Sequence, residues 1–244
     1  MTWTKNLQTL FVLALLVFLS CEKDEQPIIT SDSQFQILNI GDSRVEGARP
    51  LYESYRYELW ENLVKDGWDF DFVGYLRDEA SYPSFMGQNF DPDHAGVGGA
   101  QTTDVLNNID DILNSSPNTN VVLMDIGGND LLEGKTVSSA IANINQIIDM
   151  IQAKNSDVEI FIEQIAPGQS AIMTPEVTTA FNAFNTAILE VATTQTTASS
   201  KVIAVDMASG WSDDLLADEV HYNEANAKLI TDRYYQSMQA NLDR

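Results

Sequence analysis

Apolar positions along the chain fall into two alternating periods. Short, mostly apolar runs of strand length occupy 35–40, 70–73, 121–126, 158–162 and 202–205, the first three each followed by glycine. Between them, apolar residues recur at three- and four-residue spacing. Leu51, Tyr55, Leu59 and Leu63 form one such set, and Val105, Leu106, Ile109 and Leu113 a second that begins at Thr102 or Thr103. Ile141, Ile144, Ile148 and Ile151 form a third, Val177, Phe181, Phe184, Ile188 and Val191 a fourth, and a last helix spans about 223–238. The 121–126 run is apolar apart from Asp125, close to what is expected of a central strand buried on both faces. Strand then helix, five times, predicts an α/β domain with a five-stranded parallel sheet and helices on both faces. In such sheets ligands sit beyond the carboxyl ends of the strands. The residues after Ile40, Ile126, Ile165 and Val205 are therefore the candidate site, with the long stretch 76–99 as part of its rim.

Composition narrows the chemistry. With 244 residues, 44% of them hydrophobic and 20% charged, the chain suits one folded domain. Thirteen basic residues against 36 acidic ones give a net charge of −23, which repels phosphate backbones and argues against nucleic acid as a partner. Two His and one Cys exclude Cys/His zinc modules and disulfide frameworks, and they leave His-dependent chemistry to His94 or His221. Asp91-Pro-Asp93 falls well short of the six to eight oxygens calcium requires. No metal and no cofactor is expected.

The N-terminus reads as a targeting segment. Lys5 precedes the apolar run 10–19, and Ser20-Cys21 follows. Ten apolar residues make roughly 15 Å of helix, half of the hydrocarbon core, which suits a signal-peptide core and not a membrane span. Phe-Leu-Ser-Cys21 resembles the lipobox of bacterial lipoproteins, with Phe18 where Leu is usual, and Glu22-Lys-Asp-Glu25 resembles the surface-export tag of some diderm bacteria. The resemblance implies cleavage before Cys21, lipidation of its thiol and a mature charge of −24. The expected organisation is a signal peptide over 1–20, an acidic and polar tether over 21–33 and one domain over 34–244. The expected location is the bacterial cell envelope, periplasmic or surface-exposed, with membrane contact only through acyl chains on Cys21.

Four motifs fall at the strand ends. Gly41-Asp-Ser-Arg44 follows the first run, where a serine hydroxyl is exposed beside a helix start, although an ordinary capping Ser fits the tripeptide equally. Gly127-Gly-Asn-Asp130 follows the third, and its glycines admit close backbone approach beside an amide donor. Asp218-Glu-Val-His221 follows the last, with an acid placed to hold the imidazole Nδ1–H. His94-Ala-Gly-Val-Gly-Gly99 closes the long stretch, and His94 is expected to bond to loop backbone rather than to act in catalysis.

Together, and in this order, the four blocks resemble the GDSL-type esterases of the SGNH hydrolase superfamily. That resemblance implies a three-layer α/β/α, flavodoxin-like fold. It implies Ser43 as nucleophile, His221 as base and Asp218 as its partner, with an oxyanion hole of the Ser43 N–H, the Gly99 N–H and the Asn129 amide. Gly99 is preferred to Gly96 and Gly98 because the block reads G-x-x-G. Arg44-Val45 stands where an Ile-Thr-like pair is usual, and Tyr222 where Pro often follows the His. Within the superfamily, Tyr55-Arg-Tyr-Glu-Leu-Trp60, Phe70-Asp-Phe-Val-Gly74 and the blocks above look most like carbohydrate esterases, including acetylxylan esterase-like members. The implied reaction is removal of acetyl groups from an oligo- or polysaccharide through an acetyl-serine. A lipid or thioester hydrolase on the same triad and a non-catalytic glycan-binding lipoprotein are the alternatives.

Overall fold

A computed structural model describes residues 31–243. Cys21, the signal segment and most of the tether lie outside the described residues. The strands are β1 (Phe35–Gly41), β2 (Phe70–Val73), β3 (Leu76–Arg77), β4 (Asp93–Gly96), β5 (Val121–Asp125), β6 (Glu159–Gln164) and β7 (Val202–Asp206). The helices are α1 (Ser43–Glu46), α2 (Arg56–Lys65), α3 (Thr102–Ser115), α4 (Gly128–Leu132), α5 (Val137–Lys154), α6 (Pro175–Gln195) and α7 (Glu224–Asn241).

Period-two alternation sorts the core into two layers. Leu38, Ile40, Val122, Met124, Ile160 and Ile162 face one way and pack with the buried residues of α3, α5 and α6. Ile37, Val121, Leu123 and Phe161 face the other way and pack with those of α2 and α7. The sheet runs β3-β4-β1-β5-β6-β7, with β2 beside the first half of β1. Every pairing is parallel except β3 with β4.

Two expectations change. The sheet has seven strands, not five, because the 76–99 rim contributes β3 and β4. Where β2 stops, β4 takes over the edge of β1, pairing Ile40 with Ala95 and Gly41 with Gly96. A segment as short and glycine-rich as Asp-His-Ala-Gly carries no strand pattern of its own, so only the waiting edge of β1 makes it one. The second helix begins at Arg56, and Leu51 is 78% exposed instead of facing the core. Leu51 lies in a tight turn closed by the bridge from Ala48 to Tyr52, and a bridge from Glu53 to Tyr222 ties the residues after it to the α7 side of the molecule. Tertiary pairing overrides the helical spacing there.

Ile144 on α5 is fully buried in the first layer. Ile144→Ala is expected to cost about 3 kcal/mol, lowering the melting temperature by roughly 6–12 °C. Thermal unfolding by circular dichroism checks the shift. The strand-end geometry is expected to stay intact.

Candidate active site

The turn that carries Ser43 is built by tight packing of β1 on β5. A Cβ on Gly41 would lie 2.0 Å from the Asp125 carbonyl oxygen, so only glycine lets the strands close there. The chain then turns through Asp42, whose extended backbone caps α1: its Oδ1 accepts the Arg44 N–H at 2.9 Å, and its carbonyl accepts from Val45 and Glu46. Asp42 is thus the capping residue, and the Ser43 hydroxyl is released from that duty.

Ser43 Oγ lies 2.9 Å from His221 Nε2, and His221 Nδ1 lies 2.7 Å from Asp218 Oδ2. Asp218 Oδ1 accepts the backbone N–H groups of Val220 and His221 at 2.9 and 2.8 Å, which closes the loop into a compact turn. Partial burial pulls the Asp218 carboxyl upward, but hydrogen bonds from the His221 ring and these two N–H groups outweigh it and hold it below the usual carboxylate value. The Tyr52 ring lies flat on the imidazole, 3.8 Å between centroids and 10° between planes.

Asn129 sits in the turn after β5. Gly127 opens that turn with φ +117°, and a Cβ there would lie 2.6 Å from the Phe184 ring. Asp130 anchors the turn to α3 by accepting the Thr102 N–H at 2.8 Å and the Thr102 hydroxyl at 2.7 Å. The Asn129 amide donates to the Ala100 carbonyl at 3.0 Å and more distantly to Asp42 Oδ2 at 3.3 Å.

Among the glycines of the 94–99 block, the N–H of Gly96 is set apart because it is already used. The Gly96 N–H is taken by His94 Nδ1 at 3.1 Å. Gly98 lies against the Glu46 carboxylate. Among the described residues, the N–H groups of Ser43 and Gly99 donate to no protein acceptor. His94 is buried and accepts a backbone N–H, from Gly96 at the end of its own strand and not from a loop as expected; burial and the nearby Arg56 charge push its imidazole down to about 3, so it stays neutral. No group of three or more His, Cys, Asp or Glu among the described residues is arranged to hold a metal ion.

A line from hydroxyl to imidazole to carboxylate, beside two unspent N–H groups and an amide, is equipment for acyl transfer. The model of the GDSL-like lipase/acylhydrolase family matches residues 40–229. The chain belongs to that family. It is a carboxylic ester hydrolase on the SGNH hydrolase fold. No curated protein matches it by sequence. Among solved structures, a carbohydrate esterase family 3 protein from Talaromyces cellulolyticus shares 27% identity over 84% of this chain and 97% of its own, with a TM-score of 0.73. A family 3 carbohydrate esterase from Clostridium thermocellum shares 28% over 84% and 96%, with a TM-score of 0.68. A mutant acetyl esterase with an acetate ion shares 27% over 84% and 97%, with a TM-score of 0.73.

Beneath the esterase's site lies a cluster of buried carboxyls, of which only Asp42 falls in a sequence motif. Asp42, Asp125 and Glu163 are all buried, with Arg44 the cation acting on each of them. Burial, reinforced by Asp42, pushes the Asp125 carboxyl up to about 8. Elsewhere burial raises Glu58 to about 7, and burial with the neighbouring Asp71 and Asp93 raises Asp91 to about 7. Tyr52 is equally silent in the sequence, because nothing local marks an aromatic that meets a residue 169 positions later in the chain.

These raised carboxyls set the sign of a pH effect. The folded chain holds their protons above the ordinary carboxylate value of about 4, where the unfolded chain has lost them. Their contribution is present at low pH and is lost as pH rises through about 7 to 8. The melting temperature of the esterase is therefore expected to be higher at pH 5.5 than at pH 8.5, and Asp125→Asn is expected to flatten the slope. Differential scanning calorimetry across that range measures both.

Proposed function

We propose that the esterase removes acetyl groups from a carbohydrate through an acetyl-serine intermediate. The observation that carries the reading is the continuous Asp218–His221–Ser43 hydrogen-bonded line, at 2.7 and 2.9 Å, ending beside the free N–H groups of Ser43 and Gly99. The choice of substrate draws on the 27–28% identity to carbohydrate esterases and an acetyl esterase.

Serine is a weak nucleophile at its own pKa, so attack needs a base in contact with the hydroxyl. In the proposed reaction His221 Nε2 takes the Ser43 proton as Oγ bonds to the acetyl carbonyl carbon. Asp218 holds Nδ1–H and stabilises the imidazolium. The carbonyl oxygen becomes an oxyanion received by the Ser43 N–H, the Gly99 N–H and the Asn129 amide, which gives up its longer contact to Asp42. As the tetrahedral intermediate collapses, the C–O bond to the sugar breaks and His221 returns the proton to the leaving sugar oxygen. Water, deprotonated by the same imidazole, then attacks the acetyl-serine and releases acetate.

Acetate release from a panel of acetylated glycans tests the substrate class, with Ser43→Ala expected to remove turnover without unfolding the chain. p-Nitrophenyl esters of rising chain length test the acyl preference. A sharp fall beyond acetyl is expected, and retained octanoate hydrolysis would point to a lipid or thioester substrate instead. Asn129→Ala is expected to lower kcat by roughly 10²–10³ with little change in KM. A wild-type kcat in steady-state assays would remove that amide from the oxyanion hole.

A further inference from the structure

The residue after the nucleophile is an arginine, and its side chain does not reach solvent. Arg44 is 7% exposed. Its Nε–H donates to the Val220 carbonyl at 2.9 Å, one Nη to the Ala166 carbonyl at 2.7 Å and the other to the Pro167 carbonyl at 3.2 Å. Among the described residues none of these three carbonyls has another hydrogen-bond partner. The guanidinium carbon lies 4.9 Å from the centre of the Tyr222 ring and 5.9 Å from that of Trp211, so aromatic faces complete its enclosure.

The placement of these bonds is specific. Arg44 follows Ser43, and Val220 precedes His221. One planar group therefore grips the chain directly beside the nucleophile and directly beside the base, across 176 residues of sequence, while its other arm holds the loop after β6. A rigid fork with directed donors can fix three carbonyls at once, whereas a point charge on a flexible stem cannot. The Ser43–His221 contact is a single hydrogen bond of 2.9 Å. A displacement of the His221 loop by about 1 Å would take it out of range, and such misplacement can cost about 10²-fold in rate.

We infer that Arg44 is a positioning residue that locks the His221-bearing loop to the nucleophile turn, so that base and hydroxyl keep their contact. The inference rests on the assignment of His221 as the base. Arg44 touches no reacting atom and acts through the backbone of Val220.

Arg44→Lys tests it, because lysine retains the charge facing Asp42, Asp125 and Glu163 but not the three-way fork. With p-nitrophenyl acetate, kcat per folded molecule is expected to fall about 10–100-fold, with KM changed by no more than about twofold. The low-field proton resonance of the His221 Nδ1–H bonded to Asp218 is expected to shift or broaden. Ile144→Ala, destabilised far from the site, serves as the control and is expected to leave kcat and that resonance unchanged. A wild-type kcat in Arg44→Lys, or a loss no greater than the loss of folded protein, overturns the inference. If Arg44→Lys does not fold, Trp211→Leu removes one aromatic wall of the guanidinium. It is then expected to show the same kcat-selective loss at about 3–10-fold, and an unchanged kcat overturns the inference. His221→Ala separates the two levels. If it stays active, the assignment of the base fails; if it is dead while Arg44→Lys is unimpaired, only the role of Arg44 fails.

Discussion

The carboxyl end of β1 is the reference point for everything the esterase does. Ile40 and Gly41 are flanked by β4 on one side and β5 on the other, and the approach to β5 is so close that no side chain fits at Gly41. That closeness brings three chain segments to one level: the Ser43 turn, the 94–99 block and the Asn129 turn. Pairing through backbone hydrogen bonds sets their relative heights before any polar side chain contributes. The site needs only to be dressed onto that edge.

Dressing it brings an electrostatic difficulty. Three carboxyls, Asp42, Asp125 and Glu163, are buried below a place where negative charge is proposed to develop. Burial raises all three, which disfavours their charged forms. Arg44 lies among them and lowers each in turn, so one cation faces the whole cluster. Asp42 links this layer to the surface, with one oxygen capping α1 and the other near the Asn129 amide. An uncompensated anion at Asp42 would oppose an oxyanion held by the same amide.

Much of this is readable from the chain. Short, mostly apolar runs mark β1, β2, β5, β6 and β7 because strands covered by helices on both faces bury most of their side chains. The blocks holding Ser43, Gly99, Asn129, Asp218 and His221 stand out because they fall after such strands, and it is their resemblance to the family's motifs, taken in order, that singles out these residues within them. What stays hidden depends on distant partners. β4 exists because β1 leaves an edge open beyond Gly74, whose Cβ would lie 2.1 Å from the His94 carbonyl oxygen. Leu51 keeps the spacing of a helix but sits in the turn between Ala48 and Tyr52, just before Glu53 bridges to Tyr222. Arg44 registers in the sequence only as a departure from the family motif, and its three carbonyl partners are 122 to 176 residues away. Tyr52 has no signal whatever.

The turn carrying Asp218 and His221 has one more implication. Acid and imidazole are joined by a side-chain bond and by two backbone bonds inside four consecutive residues. They travel as a unit. Any excursion of this turn parts the hydroxyl from its proton acceptor while the carboxylate keeps every one of its own partners. The cost of such an excursion falls on the Ser43–His221 contact and on the Arg44–Val220 bond that ties the turn down, and not on the carboxylate of Asp218.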